Sequence, residues 1–155
     1  MPPDDELARA VEEAFAEGGY DAALARILSA FDADSGTIHL LGDDGLLHLE
    51  AASAGIPPVV IETVRRVPVG KGMAGLAVER AAPVNSCNIQ TDATGDVRPG
   101  ARATGLQGSI VVPMLVDARP VGALGIANQR ERTFTDEEAA ALLEVGRALA
   151  RASRR

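Results

Sequence analysis

From Ser109 to Val116 and again from Val121 to Asn128 nearly every position is apolar, so neither stretch has a polar side to turn toward water. Strands of that kind are covered on both faces of their sheet, which predicts helices above and below it. Between them, Asp117-Ala118-Arg119-Pro120 reads as a polar turn whose proline opens the second strand, where a missing N–H costs least. A helix is predicted over 135–153. Thr135 stands three residues before Glu138, the spacing of a capping box, and Asp136 and Glu137 fall at the positive end of the helix dipole.

Toward the N-terminus the period changes to that of helices. Leu7, Val11, Ala14 and Phe15 share one face behind a cap at Asp4, Gly18-Gly19 ends that helix, and Leu24, Ile27, Leu28 and Phe31 mark a second, so 1–34 is a helical segment. A strand at Thr37–Leu41, a four-residue loop Gly42–Gly45 and a strand at Leu46–Ser53 follow, with Leu47, Leu49 and Ala51 on one face. Pro57-Pro58 starts a short helix to Arg65. Val67–Val69 is a brief strand, Lys71–Arg80 a helix, and Pro83–Ser86 a strand. Cys87–Gln107 is long, polar and rich in Gly, Thr and Asp, and reads as a lid or binding loop with one helical turn near Arg98–Ala103.

Three pieces of the chain together resemble the GAF domains, a family of small-molecule sensor modules. They are the strand pair IVVPMLV and VGALGIAN, the segment NQRERTFTDE from Asn128 to Glu137, and upstream VGKGMAGLAVERAAPVN. Gln129 stands where the family's Asn-Lys pattern has its lysine, with Arg130 beside it, which removes the usual cation of the salt bridge that pattern implies. The resemblance implies an α+β fold: a three-layer α/β/α sandwich with a central antiparallel sheet of five to six strands, forming a single domain over 1–155. The sheet and pocket region would span 35–128, with the pocket lying between the sheet and the loop region.

Composition narrows the class. At 155 residues the chain is long enough to bury roughly 68–70% of the surface it exposes when unfolded, without a disulfide or metal staple. The lone cysteine, Cys87, excludes an internal disulfide framework and an all-cysteine metal site. No window approaches the roughly 18 apolar residues of a membrane span, and MPPDDELARA is unlike a signal peptide, so a cytoplasmic protein with no membrane partner is expected. The whole net charge of −7 lies in residues 1–34, while Arg147, Arg151, Arg154 and Arg155 make the other terminus positive. Opposite charge on the two terminal helices favours their packing side by side, and the expectation drawn from it is a homodimer through them. The acidic balance and lack of a basic stripe exclude nucleic acid as a partner.

Four constellations could carry chemistry. Gly70-Lys71-Gly72-Met73-Ala74-Gly75 matches the dinucleotide pattern by letter, but that motif needs a parallel βαβ unit with an acid about 20 residues on, which is missing here. Its glycines still leave backbone N–H groups free at a helix start, and in the GAF resemblance that helix borders the pocket. If Gly42–Gly45 joins Leu41 directly to Leu46, His39 falls opposite His48, with Glu50 on the same face as a third metal ligand. The preferred reading assigns no metal, because a polar face under a helix accounts for the same residues. Cys87 has neither the adjacent histidine of bilin-linked relatives nor the additional cysteines of GAF-fold methionine sulfoxide reductases, and is read as a buried or half-buried inert thiol. The loop supplies the remaining polar candidates. The resulting set of ligand-binding residues is Met73, Cys87, Asn88, Asp92, Arg98, Arg102, Gln107 and Ser109, with Arg98 and Arg102 spaced to share a helix face and hold an anionic group.

The function expected from all this is a small-molecule-binding sensory module of unassigned ligand and cofactor. Its 155 residues have no room for a kinase, cyclase or DNA-binding output, so a separate signalling protein would carry the response. A GAF-fold reductase and a ligand-free interaction scaffold are the alternatives.

Overall fold

A computed structural model describes residues 4–91 and 105–154 of the chain. Helix α1 (Asp4–Phe31) is two helical segments meeting at Gly19, whose backbone has φ 72° and ψ −158°, so the expected Gly-Gly break is a kink rather than a loop. Strands β1 (Ser35–Leu41) and β2 (Leu46–Ala52) form a hairpin, followed by helix α2 (Pro58–Val64), strand β3 (Arg66–Pro68), helix α3 (Gly72–Arg80) and strand β4 (Val84–Ser86). Strands β5 (Ser109–Val116) and β6 (Arg119–Ala127) make the second hairpin, and helix α4 (Asp136–Ser153) closes the described chain.

The strands form one six-stranded sheet in the order β3-β2-β1-β6-β5-β4, every neighbouring pair antiparallel. This is the α+β, three-layer arrangement that the apolar hairpin demanded. β5 and β6 alternate between two buried faces. Ile110, Val112, Met114, Leu124 and Ile126 join the core under α1 and α4, together with Leu7, Val11, Ile27, Leu142, Val145 and Leu149. Val111 and Ala123 turn the other way and meet Ala77 and Val78 of α3, with Leu47, Val67 and Val84 beside them. The β5–β6 turn is tighter than predicted: Val116 pairs with Arg119, and Asp117, in the left-handed region at φ 57°, makes the corner with Ala118.

Around α4 the predicted cap is present in full. Thr135 Oγ1 accepts from the Glu138 N–H at 3.1 Å and Glu138 Oε1 accepts from the Thr135 N–H at 3.0 Å. Glu138 has a second partner that the sequence pattern did not announce. Arg132, whose side chain is 12% exposed, donates to Glu138 Oε2 at 2.6 Å, to Asn128 Oδ1 at 2.8 Å and to the Asp32 carbonyl at 3.1 Å, with its guanidinium 4.3 Å from the centre of the Phe134 ring. The salt bridge left open by Gln129 is therefore made by a residue three positions on. Arg130 approaches Asp32 at 3.9 Å, in solvent. Burial raises the Glu138 pKa, but the Thr135 N–H and the Arg132 charge outweigh it and hold the carboxyl below its usual range. The end of α1, the end of β6 and the start of α4 are thus fastened at one point.

Charge complementarity between the termini is realised within one chain. α1 and α4 lie side by side, and Arg151 approaches Glu12 at 3.7 Å.

Candidate functional site

The β1–β2 hairpin decides which side chains reach the interior. Gly42 N–H donates to Leu46 O, Gly45 N–H donates to Gly42 O, and Gly45 has φ 78°, so the loop is a turn followed by a left-handed glycine bulge, one residue longer than expected. Register moves by one: Leu40 faces His48 and His39 faces Leu49. Neighbouring positions of a strand point to opposite faces, so His39 and His48 are on opposite sides of the sheet and the expected metal pair does not form. His48 instead meets Asp44 in the exposed turn at 2.8 Å. Glu50 is exposed, and among the described residues no group of three or more His, Cys, Asp or Glu side chains is placed to hold a metal. A further irregularity between Ile38 and His39 splits the expected common face of β2: Ala51 packs under α1 and α4, Leu47 under α3.

On the α2–α3 side of the sheet the packing is incomplete. A cavity of about 180 Å³ is bounded by β1 (Ser35, Thr37, His39), α2 (Val60, Thr63, Val64), Val67, the start of α3 (Lys71 to Ala74), Ser109 and Val111 of β5, and Gly125 to Ala127 of β6. Ile56, Ile89 and Leu106 complete the described wall. Most of it is aliphatic. It carries four hydroxyls: Ser109 donates to Ile126 O at 3.3 Å, Thr63 donates to Val59 O at 2.8 Å, Ser35 shares a hydrogen bond with Ser53 at 3.0 Å, and Thr37 adds the fourth.

The glycine run Gly70 to Gly75 belongs to this wall, and its spacing has a local cause. Gly70 and Gly72 occupy positive φ, and a Cβ on Gly75 would run into the Pro68 carbonyl. The run folds the chain from β3 back over itself into α3. No side chain caps α3, and Gly72, Met73 and Ala74 of its first turn border the cavity. The antiparallel sheet holds no βαβ unit here among the described residues, in agreement with rejecting a dinucleotide site.

His39 is the most constrained polar group of the wall. It is 3% exposed, and its Nε2 lies 2.8 Å from the Val64 carbonyl, which accepts and therefore places the ring hydrogen on Nε2. Burial lowers its pKa, and the bond to Val64 opposes this only in part, so the ring is held neutral. Its other nitrogen, Nδ1, is covered and has no hydrogen-bond partner among the described residues.

Of the expected ligand-binding residues, Met73 and Ser109 are on this wall. Cys87 is exposed rather than buried, because alternation along β4 turns Val84 and Ser86 inward and leaves Asn85 and Cys87 outward. Asn88 donates to Glu131 and Gln107 to the Gln129 carbonyl, both away from the cavity. Asp92, Arg98 and Arg102, with the predicted helical turn, lie outside the described residues. The loop contributes its apolar shoulders, Ile89 and Leu106, where polar residues were expected. Ser35, Thr37, Val60 and Val64 were missed; small or β-branched residues on the strand and helix facing a glycine-rich stretch of β6 were the available signal.

A six-stranded antiparallel sheet, helices on both faces and a cavity under the second layer define an α+β domain. The chain matches the family model described as GAF domain over residues 16–152, and it belongs to that family. It is similar in fold to the GAF domain of an Acinetobacter phosphoenolpyruvate-protein phosphotransferase, at 19% identity and TM-score 0.77, with 98% of this chain and 93% of that one covered. It is also similar to a free methionine-R-sulfoxide reductase from Neisseria meningitidis solved with its substrate, at 21% identity and TM-score 0.77, covering 97% and 90%. A domain of a protein described as a two-component sensor histidine kinase from Sinorhizobium meliloti 1021 is similar at 19% identity and TM-score 0.67, with 85% of this chain and 86% of that one covered. No curated protein matches the sequence. Among the described residues, no helix is long and apolar enough to cross a membrane.

Proposed function

We propose that this GAF domain is a cytoplasmic regulatory module that binds a small molecule in the cavity between its sheet and α2–α3. The observation carrying this reading is the cavity itself: a mostly aliphatic wall with a few polar groups. Its size supports a compact ligand. An engineered cavity of about 150 Å³ takes benzene, so about 180 Å³ suits roughly ten non-hydrogen atoms. Binding rather than turnover is favoured because the only thiol, Cys87, is exposed and apart from this wall, whereas a thiol-dependent reductase needs its sulfur against the substrate.

A response passes onward through a homodimer or a separate signalling protein. Supporting the dimer, α1 and α4 form one continuous outer layer on which a second copy could stack. The test is amide NMR of the purified chain against a library of fragments of about ten non-hydrogen atoms. Shifts gathered at Thr37, His39, Val64, Met73 and Val111 are expected. Shifts confined to the α1–α4 layer, or none, would overturn the reading in favour of a scaffold, and light scattering of the same sample reports the dimer.

A further inference from the structure

Ala54 to Thr63 crosses the hollow face as a strap between two anchors. Before it, Ser53 is fixed to β1: its N–H donates to Gly36 O at 3.0 Å, and its Oγ accepts from the Gly36 N–H at 2.9 Å. After it, Val64 O accepts from His39 Nε2 at 2.8 Å, Arg65 O accepts from the Leu49 N–H at 2.9 Å, and Arg66 to Pro68 pair with β2. Among the described residues, nothing from Ala54 to Thr63 hydrogen-bonds to the sheet or to another helix. The bonds in this segment are its own: Val60 and Ile61 N–H donate to Pro57 O, Thr63 Oγ1 donates to Val59 O, and Glu62 pairs with Arg65.

Packing holds the strap as lightly. Val60 is the one buried residue of α2, and it belongs to neither core cluster; Ile56 and Ile61 are half-buried, and Val59 is 69% exposed. Val60 borders the cavity, as do Ile56 and Thr63. Thr63 and Lys71 are exposed while bordering it, so its mouth runs between the strap and the start of α3. Beside the Ser53 anchor, Gly55 has φ 92° and open space where a Cβ would stand, a turn that can serve as a hinge.

Resting on the reading of this cavity as a ligand site, we propose that the strap is its gate: Ala54–Thr63 lifts between the Ser53 and Val64 anchors to admit a small molecule and closes over it. Lifting breaks no hydrogen bond to the sheet and uncovers chiefly Val60, so it is a local opening well below the unfolding of the domain. With seven residues, α2 is too short to keep its helix once it leaves the wall, so the open strap frays. A ligand beneath it gains contacts that exist only in the closed state and therefore favours closure.

The test places one thiol under the strap, Val60→Cys, and one in the filled layer, Val112→Cys, each in the full chain carrying Cys87→Ser. Labelling is followed with fluorescein maleimide, which is far too large to enter a cavity of about 180 Å³. After each rate is divided by that variant's unfolding constant from denaturant titration, Val60→Cys is expected to label about a hundredfold or more faster than Val112→Cys. Indole at about ten times its dissociation constant should slow that labelling about tenfold. Equal normalised rates overturn the gate, and so does fast labelling that bound indole leaves unchanged. Fast labelling with no indole bound at millimolar concentration overturns the cavity reading instead, while the opening of the strap stands. Should Val60→Cys fail to fold, hydrogen exchange of the natural chain decides: the Val60 and Ile61 amides must exchange about tenfold or more faster than those of β6, and exchange only at the rate of global unfolding refutes the gate.

Discussion

The two faces of the sheet are built from the same strands and packed to opposite ends. Toward α1 and α4, β5 and β6 present Ile110, Val112, Met114, Leu124 and Ile126, each at most 1% exposed. Toward α2 and α3 the alternate positions of β6 are Ala123, Gly125 and Ala127, and a cavity of about 180 Å³ remains. Side-chain size on one strand thus divides the domain into a face that holds the fold and a face that can receive something. A close-packed layer resists change, whereas a hollow one tolerates exchange of its contents.

Substitutions should separate the faces. Leu124→Ala, in the filled layer, is expected to lower unfolding free energy by about 2–5 kcal/mol in denaturant titration and to leave any cavity ligand's affinity intact once the protein is folded. Arg132→Met removes the cation from a half-buried carboxylate and two further acceptors. A loss of about 1–3 kcal/mol is expected, with α4 protection from hydrogen exchange falling first.

The pH dependence tests the hollow face. His39 has a lowered folded pKa, so below its unfolded value of about 6.5 the unfolded chain takes up a proton that the folded chain refuses. Stability is full above that pH and falls as pH falls toward the folded value, by at most about 1.4 kcal/mol per pH unit, and His39→Leu should flatten that slope. Glu138 adds a second decline at lower pH, since its stabilisation is present above the ordinary carboxylate range and lost on protonation. Thr135→Ala should cost about 1 kcal/mol through the lost cap. Met73→Ala, on a wall that already borders empty space, should change stability by less than about 1 kcal/mol while weakening fragment binding. A larger stability loss there than at Leu124 would erase the distinction between the faces.

Much of the frame was readable in the chain. The hairpin 109–127 and the helix after Thr135 follow from apolar runs and capping chemistry, which act over a few residues. The one-residue error at His39 shows where such reading stops. Whether Gly45 continues a four-residue loop or turns left-handed into a bulge changes nothing in the hydrophobic pattern, yet it moves His39 from beside His48 to the opposite face. Arg132 was invisible for a related reason: its partners Asp32 and Glu138 lie far apart in sequence and meet only when α1 and α4 are laid together.

By itself the sequence determined the elements, their order and the family, because period, caps and turn residues are local and redundant. Tertiary structure decided the rest: which face is hollow, that the loop turns Cys87, Asn88 and Gln107 outward, and that a histidine of an interior strand faces the cavity. Those outcomes depend on register and on side chains distant in sequence competing for one volume, and no short window of the chain contains that competition.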